Sequence, residues 1–314
     1  MSAAADPRPL VSVLVPLYRH AGYVRECLDS VIAQPGSVRL ELLLIDDASP
    51  DGSHALAAAR LAEADAVARF ERIECRAKPI NRGAPDSLNQ GLALARGDFI
   101  AIVNSDDRWA PQRLPTMLAA MQDAGAPFAY SAVRPFSDRP HRPHAGFLQL
   151  LDFIDYVAPQ LPARSFAYLG HNCAITTGNF VMTRAFAERV GPFADLVLAH
   201  DWDWLLRATV HAEPLFVPQR LYDYRLHPAN TFAAEQSRAQ VEAQVCVTRY
   251  LEQVVAAPPP NPHCPNPHHW PELFEHNLRC WGWEELWWRV AHGHQPRGRT
   301  ERPRTLRRPF HAGA

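Results

Sequence analysis

The sequence predicts an α/β sandwich with a largely parallel sheet, and three observations carry that prediction. Short apolar runs, several rich in β-branched residues, alternate with stretches whose apolar residues recur at helical spacing. The connections between them are short, as in a wound α/β layer. The apolar runs end in polar clusters, and open parallel sheets bind ligands beyond the carboxyl ends of their strands.

Residues 10–15, LVSVLV, read as a buried strand stopping at Pro16. In YVRECLDSVIAQ the residues Tyr23, Val24, Cys27, Leu28, Val31 and Ile32 share one face, which predicts an amphipathic helix ended by QPGS. Residues 40–47, LELLLIDD, form a second buried strand that ends in Asp46 and Asp47. ASPDGSHALAAARLAEAD is a turn and an Ala-rich helix, and FERIEC is a third, weaker strand. NRGAPDSLNQGLALARG is a loop and a helix, with Pro85 in its first turn and Gly97 closing it. FIAIV, residues 99–103, is a fourth strand that runs into NSDD. A helix, PQRLPTMLAAMQDAG, and a strand-like FAYSAV follow.

Residues 134–172, rich in Arg, His, Pro and aromatics, are expected to form a long excursion over the site. Beyond them the pattern predicts a strand near 179–183, a helix, a Trp-rich helix from about 201, an extended PLFVPQRLYDYRLHPANT and a helix over about 233–255. A Pro-rich linker, a last Trp-rich helix ELFEHNLRCWGWEELWWRV and a basic tail expected to be disordered complete the chain.

A net charge of -1 gives no whole-chain attraction to nucleic acid, so no nucleic-acid partner is expected. The N-terminus lacks a basic n-region, its apolar run is broken by Pro16, and no stretch approaches the roughly 18 apolar residues of a membrane span. The six cysteines include no CxxC pair and read as reduced thiols of a cytoplasmic protein. PHCPNPHH fits no standard zinc spacing and reads as linker. The Trp cluster at 281–288, followed by Arg297, Arg299, Arg302, Arg304, Arg307 and Arg308, suits core, a partner interface or peripheral contact with an anionic membrane face.

Four clusters, PLYRH, DDASPDGS, NRG and NSDD, converge on one edge of the predicted sheet. Asp106 and Asp107 repel each other there unless a cation neutralises them, and two hard oxygen donors suit Mg²⁺ or Mn²⁺. The alternative is a solvated, capping turn. At Asp46 and Asp47 a carboxylate can accept from a base N–H or a ribose hydroxyl, or cap the next helix.

VSVLVPLYRHAGYVRECLDSVIAQ, LLLIDDASPDGS, NRGAPDSLNQGLALARGDFIAIVNSDD and GPFADLVLAHDWDWLLRA together resemble a family 2 inverting glycosyltransferase of the GT-A fold, over roughly residues 10–230. The resemblance implies a Rossmann-like, mixed but mainly parallel sheet flanked by helices, a nucleotide-sugar donor, most often a UDP-sugar, and a divalent cation. It implies a catalytic domain over 1–230; the residues beyond read as a helical C-terminal extension over 231–296 with its Pro-rich linker at 256–271, and a basic tail over 297–314. Pro16 and Tyr18 then lie at the nucleobase, Asp47 holds the base, and Asn81 and Gly83 form the nucleotide loop. Asp106 and Asp107 end the DxD motif at metal and diphosphate. Asp201 matches the catalytic base, with Asp203 as its rival.

Two positions depart from the pattern. Asn104 stands for the first Asp of DxD; it still hydrogen-bonds a ribose hydroxyl but brings no charge. His200 stands where the family has Glu, and bears on acceptor recognition or pH sensitivity. Arg225 and His227, in YDYRLHPANT, are expected either near diphosphate or metal or in a structural extended segment closing over the core, and Asn179 either near an acceptor hydroxyl or in a turn. The expected acceptor is a glycan or glycolipid, and the expected role is building a surface polysaccharide or modifying a glycolipid. The rivals are a nucleotidyltransferase, for which PLYRHAGY is a poor phosphate loop, and a non-catalytic relative that binds sugar nucleotides or a partner enzyme.

Overall fold

In the computed structural model, residues 6–138, 145–227 and 236–293 are described. The first half is a run of four parallel strands: β1 (Leu10–Leu17), β2 (Arg39–Asp46), β3 (Phe70–Ala77) and β4 (Phe99–Ile102). The crossover helices between them are α1 (Val24–Ile32), α2 (Ser53–Leu61), α3 (Ala64–Arg69) and α4 (Ala84–Leu94). β2 is buried almost end to end because helices cover both faces of the sheet, which is why LELLLID shows no polar alternation.

The second half reverses direction. After β5 (Arg108–Trp109), α5 (Arg113–Ala124) and β6 (Phe128–Phe136) come α6 (Ala145–Asp152), a π turn at Phe153–Val157 and the short α7 (Ser165–Tyr168). β7 (Val181–Thr183), α8 (Arg184–Val190), α9 (His200–His211) and β8 (Leu215–Arg225) complete the sheet. The strand order is β3-β2-β1-β4-β7-β6-β8-β5. β7 runs antiparallel to β4 and β6, while β6 and β8 are parallel. The predicted mixed, mainly parallel α/β layer is therefore the observed one. The 134–172 excursion resolves into the end of β6, α6, the π turn and α7.

Two apolar cores sandwich the sheet. Val11, Val13 and Val15 of β1 face α1 and α5, whereas Leu14 faces the opposite core with α4, as period-two alternation requires. In that second core Trp204 of α9 is fully buried, with ring centroids 5.2 Å from Phe128, 5.5 Å from Phe180 and 5.6 Å from Phe193. Burial of so large a ring fixes the position of α9, and thereby of the residues in its first turn.

The C-terminal helices α10 (Gln236–Ala256), α11 (Pro271–Trp281) and α12 (Glu284–His292) contribute Val247, Tyr250, Phe274, Leu278 and Leu286 to this same core. The Pro-rich stretch expected as a linker is packed rather than open. Asn261 Nδ2 donates to the Thr209 carbonyl at 2.7 Å, and Asn261, Cys264 and Asn266 are buried. The last Trp-rich helix, read as one from sequence, is two, because Gly282 takes φ +78 and closes α11.

Trp281, Trp283 and Trp287 pack against the core, and Trp283 Nε1 donates to the Leu169 carbonyl at 2.7 Å. Each of these rings is thus partly buried against the core. The expected basic tail lies outside the described residues. A Cβ on Gly170 would stand 2.3 Å from the Trp281 ring, itself wedged against Phe153 and His171. Gly170→Ala is therefore expected to destabilise the fold by about 1–3 kcal/mol, read as a lower thermal midpoint. An unchanged midpoint would mean that the ring yields freely.

Candidate active site

The loops after β1, β2 and β3 interlock beyond the strand ends. After β1, Tyr18 is part-exposed and Arg19 takes the left-handed φ of 57. The amides of Arg19 and His20 donate to the Ser49 and Ser53 hydroxyls at 3.0 and 2.9 Å, and the Ala21 amide to Asp51 at 3.2 Å. DDASPDGS thus shapes PLYRH. Pro16 lies within β1, paired with Ile45.

Asp47 is buried and accepts from the Arg82 and Gly83 amides at 2.7 Å each, with Lys78 Nζ 2.6 Å away. Its carboxylate builds the loop after β3, where Gly83 sits at φ +86, a backbone region costly for residues with a Cβ. Asn81 is exposed beside it and accepts from the Gly83 amide at 3.2 Å. Of the pair it is Asp46, to which the resemblance assigns no role, that keeps a buried oxygen without a partner among the described residues; its other oxygen takes the Ser49 amide.

At the end of β4 the adjacent carboxylates face opposite ways. Asp107 is enclosed and accepts from the Tyr222 hydroxyl and the Arg225 amide, both at 2.7 Å. Asp106 Oδ2 lies 3.0 Å from His227 Nε2 and 3.7 Å from His20 Nε2. Burial alone would raise the Asp106 carboxyl, but the two imidazoles bring it below the ordinary carboxylate range. Burial and the neighbouring Asp106 charge push Asp107 well above that range. The pair is tolerable because its members titrate apart. Of the two expected metal ligands, Asp107 is tied to β8 through Tyr222 and Arg225, and Asp106 lies against the imidazoles of His20 and His227.

Arg225, expected either near diphosphate or metal or in a structural segment, is almost fully buried. Its Nε donates to the Asp106 carbonyl at 2.6 Å, its other nitrogens pair with Glu26 and Asp138, and it stacks over Tyr23 and Phe136. It clamps the Asp106 backbone from behind.

Asp201 and His200 open α9. Asp201 is 9% exposed, accepts from the Trp202 amide at 2.7 Å and is bonded by the Asn172 side chain. Burial raises its carboxyl, opposed by the adjacent His200. Asp203 is 1% exposed and paired with Arg207 at 2.9 Å and Arg249 at 3.2 Å, so it braces α9 against α10.

The segment 172–177 joins the two halves. Asn104 Nδ2 donates to the Thr176 hydroxyl at 2.6 Å, and the Thr177 hydroxyl lies 3.1 Å from His200 Nε2. His200 Nδ1 is buried without a partner among the described residues. Between the threonines and Asn172, Ile175 takes φ 72, a costly conformation for a β-branched residue. Tyr224 lies where Asp107, Asp106 and Asp201 all raise its hydroxyl, although burial is the largest cause, and Phe147 of α6 stacks on it with centroids 5.6 Å apart.

Asn179 does not reach this wall. It is fully buried, accepts from Arg113 at 3.0 Å and donates to the Ser131 carbonyl at 2.7 Å, which fits the structural alternative rather than an acceptor contact. On the same side, a cavity of about 260 Å³ is lined by Leu148, Ile154, Cys173, Ile175, Phe216 and Arg220, among others.

The donor chemistry at Asp106 fits a divalent cation. His20, Asp106 and His227, from three different loops, place one ligand atom each within 4.8 Å of one another. Arg225 binds the Asp106 carbonyl, and the clustered Asp106 oxygen is left to the imidazoles. The sequence reading named Asp106 and His227 but not His20, whose only signal was its place in PLYRH.

The fold and this constellation, carboxylates at the strand ends and a buried Asp opening α9, define a GT-A glycosyltransferase. A family model described as glycosyl transferase family 2 matches residues 12–190. The chain is 31% identical over 232 residues to the uncharacterized protein MT1568 of Mycobacterium tuberculosis, covering 71% of this chain and 69% of that one. It is 29% identical over 128 residues to the putative teichuronic acid biosynthesis glycosyltransferase TuaG of Bacillus subtilis, 40% of this chain and 46% of that protein. The solved mannosyltransferase PcManGT from Pyrobaculum calidifontis, in complex with GDP-Man and Mn²⁺, aligns with a TM-score of 0.59 at 21% identity, over 94% of this chain and 79% of that one. The chain belongs to glycosyl transferase family 2.

Proposed function

We propose that the protein transfers a sugar, with inversion, from a nucleotide-diphosphate sugar to an acceptor hydroxyl in surface-polysaccharide or glycolipid synthesis. The observation that carries this reading is the pairing of Asp106, facing two imidazoles, with a buried Asp201 on the far side of the 172–177 segment. TuaG, the putative teichuronic acid biosynthesis glycosyltransferase, supports the polysaccharide setting. UDP is the proposed nucleotide on family grounds, and the GDP-Man complex of PcManGT makes GDP the alternative to test.

In this reading Tyr18, Asp46 and Asn81 bound the nucleotide end. Asp106 and His227 would hold a divalent cation, which when bound would supply positive charge against the leaving diphosphate. Asp201 takes the proton of the acceptor hydroxyl as it attacks the anomeric carbon from the opposite face. Burial strengthens it as a base by raising its carboxyl toward neutrality. Its neighbour Asp203 is held by two arginines, which supports Asp201 for the role. One catalytic carboxylate suffices because the leaving diphosphate needs no proton, unlike the paired acids of a glycoside hydrolase. The cavity behind Ile175 is the proposed acceptor side.

We place the reaction in the cytoplasm. No described helix is long and apolar enough to cross a membrane, and the described cysteines are all free thiols. A peripheral membrane contact would rest on the arginines of the tail. The reading is tested by nucleoside diphosphate release from a panel of UDP-, GDP- and dTDP-sugars with Mn²⁺ or Mg²⁺. Metal-dependent release from one donor, lost in Asp201→Asn and Asp106→Ala, is the expected result. Absence of release together with absence of UDP and GDP binding would favour the non-catalytic alternative.

A further inference from the structure

We propose that His20 is a third protein ligand of the cation, and that with it the site is a two-imidazole, one-carboxylate centre that prefers Mn²⁺ to Mg²⁺. The proposal rests on the metal reading above and goes beyond it by adding a ligand from the loop after β1.

Four observations support it. The Nε2 atoms of His20 and His227 lie 3.7 and 3.0 Å from the same atom, Asp106 Oδ2. Ligand bonds of about 2.1 Å at octahedral or tetrahedral angles put neighbouring donor atoms roughly 3.0–3.4 Å apart, so a small adjustment of His20 brings all three onto one ion. The second ring nitrogen of His20 is already engaged, with Nδ1 2.7 Å from the Ser105 hydroxyl. Metal-bound imidazoles are held in the same manner, by a hydrogen bond on the nitrogen that does not ligate. Ser105 precedes Asp106, so one short turn both supplies the carboxylate and orients the imidazole.

The loop that carries His20 is also fixed independently of any ion. The His20 amide donates to Ser53 at 2.9 Å, and the ring stands edge-on to Tyr23 and His227, with centroids 5.9 Å from each. A mere hydrogen bond to Asp106 would need one imidazole, and His227 already supplies it at 3.0 Å. Nitrogen donors are tolerated better by first-row divalent metals, of which Mn²⁺ is the weakest binder, than by Mg²⁺, which favours an all-oxygen shell. One consequence is that the cation links the loop of Tyr18 and Arg19 to the DxD turn, so metal affinity and nucleotide affinity become coupled.

The test is titration of the full chain with Mn²⁺ and with Mg²⁺, with and without UDP, by calorimetry. Pulsed electron paramagnetic resonance of the Mn²⁺ complex would count nitrogen couplings. Wild type is expected to show two coupled imidazole nitrogens. His20→Ala is expected to show one, with Mn²⁺ affinity lower by at least about 10-fold and a smaller Mn²⁺ over Mg²⁺ ratio. Ser105→Ala, which leaves the imidazole in place, should fall between the two. Circular dichroism and thermal melts of each variant check that it is folded; a misfolded His20→Ala leaves Ser105→Ala and the nitrogen count of wild type to decide. One nitrogen in wild type, or unchanged Mn²⁺ affinity in folded His20→Ala, overturns the role of His20 while leaving the metal reading intact. Wild type that binds no Mn²⁺ even with UDP overturns both.

Discussion

Asp201→Asn is expected to lower the turnover number by about 10²–10⁴-fold while leaving donor and Mn²⁺ affinity within a few-fold of wild type. The amide is isosteric and can keep the bonds to Trp202 and Asn172, but it cannot take a proton. Steady-state transfer kinetics beside calorimetric donor binding would separate the two effects. Asp203→Asn is the internal contrast. Asp203 is deeply buried between Arg207 and Arg249, so its loss should lower the thermal midpoint more than the rate of the folded enzyme. A larger rate loss at Asp203 than at Asp201 would exchange their roles.

The same assignment fixes a pH dependence. A base works only when ionised, and burial raises the Asp201 carboxyl above the ordinary carboxylate value. The acid limb of the rate profile should therefore lie at higher pH than for an exposed aspartate, with activity rising as pH rises through it. In Asp201→Asn that limb should vanish. An unchanged limb in the variant would assign it to another group.

Asp106→Ala is expected to abolish tight Mn²⁺ binding and to cut turnover by about 10²–10³-fold at saturating donor. The loss removes the carboxylate on which both imidazoles converge. Asp107→Asn should act differently. Asp107 accepts from Tyr222 and the Arg225 amide, so the variant is expected to loosen β8 and lower stability, with Mn²⁺ affinity less affected than in Asp106→Ala. Equal losses of Mn²⁺ affinity in the two variants would restore Asp107 as a ligand.

Much of this was legible in the chain because periodicity and strand ends are local signals. LVSVLV, LELLLIDD and FIAIV are short, apolar and closed by polar residues, and each became a parallel strand with its cluster at the carboxyl end. What a side chain does within a cluster is not local. Asp46 and Asp47 are neighbours of the same type; only the return of Arg82 and Gly83 decides which one is engaged. Asn179 looked available until Arg113 and Ser131, from two other elements, closed on it. PHCPNPHH reads as a linker by composition; it is held down because Tyr250 of α10 donates to the Pro265 carbonyl and Asn261, just ahead of it, donates to the Thr209 carbonyl 52 residues back. His20 carried no motif signal because the residues that give it meaning, Asp106 and His227, lie in loops that only the fold assembles.

The Arg225 clamp reaches Glu26 across 199 residues of sequence. During synthesis, then, the ribosome releases a nearly complete parallel sheet long before it releases a working enzyme. A nascent chain that has reached residue 190, the end of the family match, carries β1 through β4 and α8 but lacks Asp201, Arg225 and His227. Closing so long a loop is entropically slow, and until it is done Asp106 waits without His227 and Asp107 without Tyr222 and Arg225. Catalytic competence is thus among the last properties this polypeptide acquires.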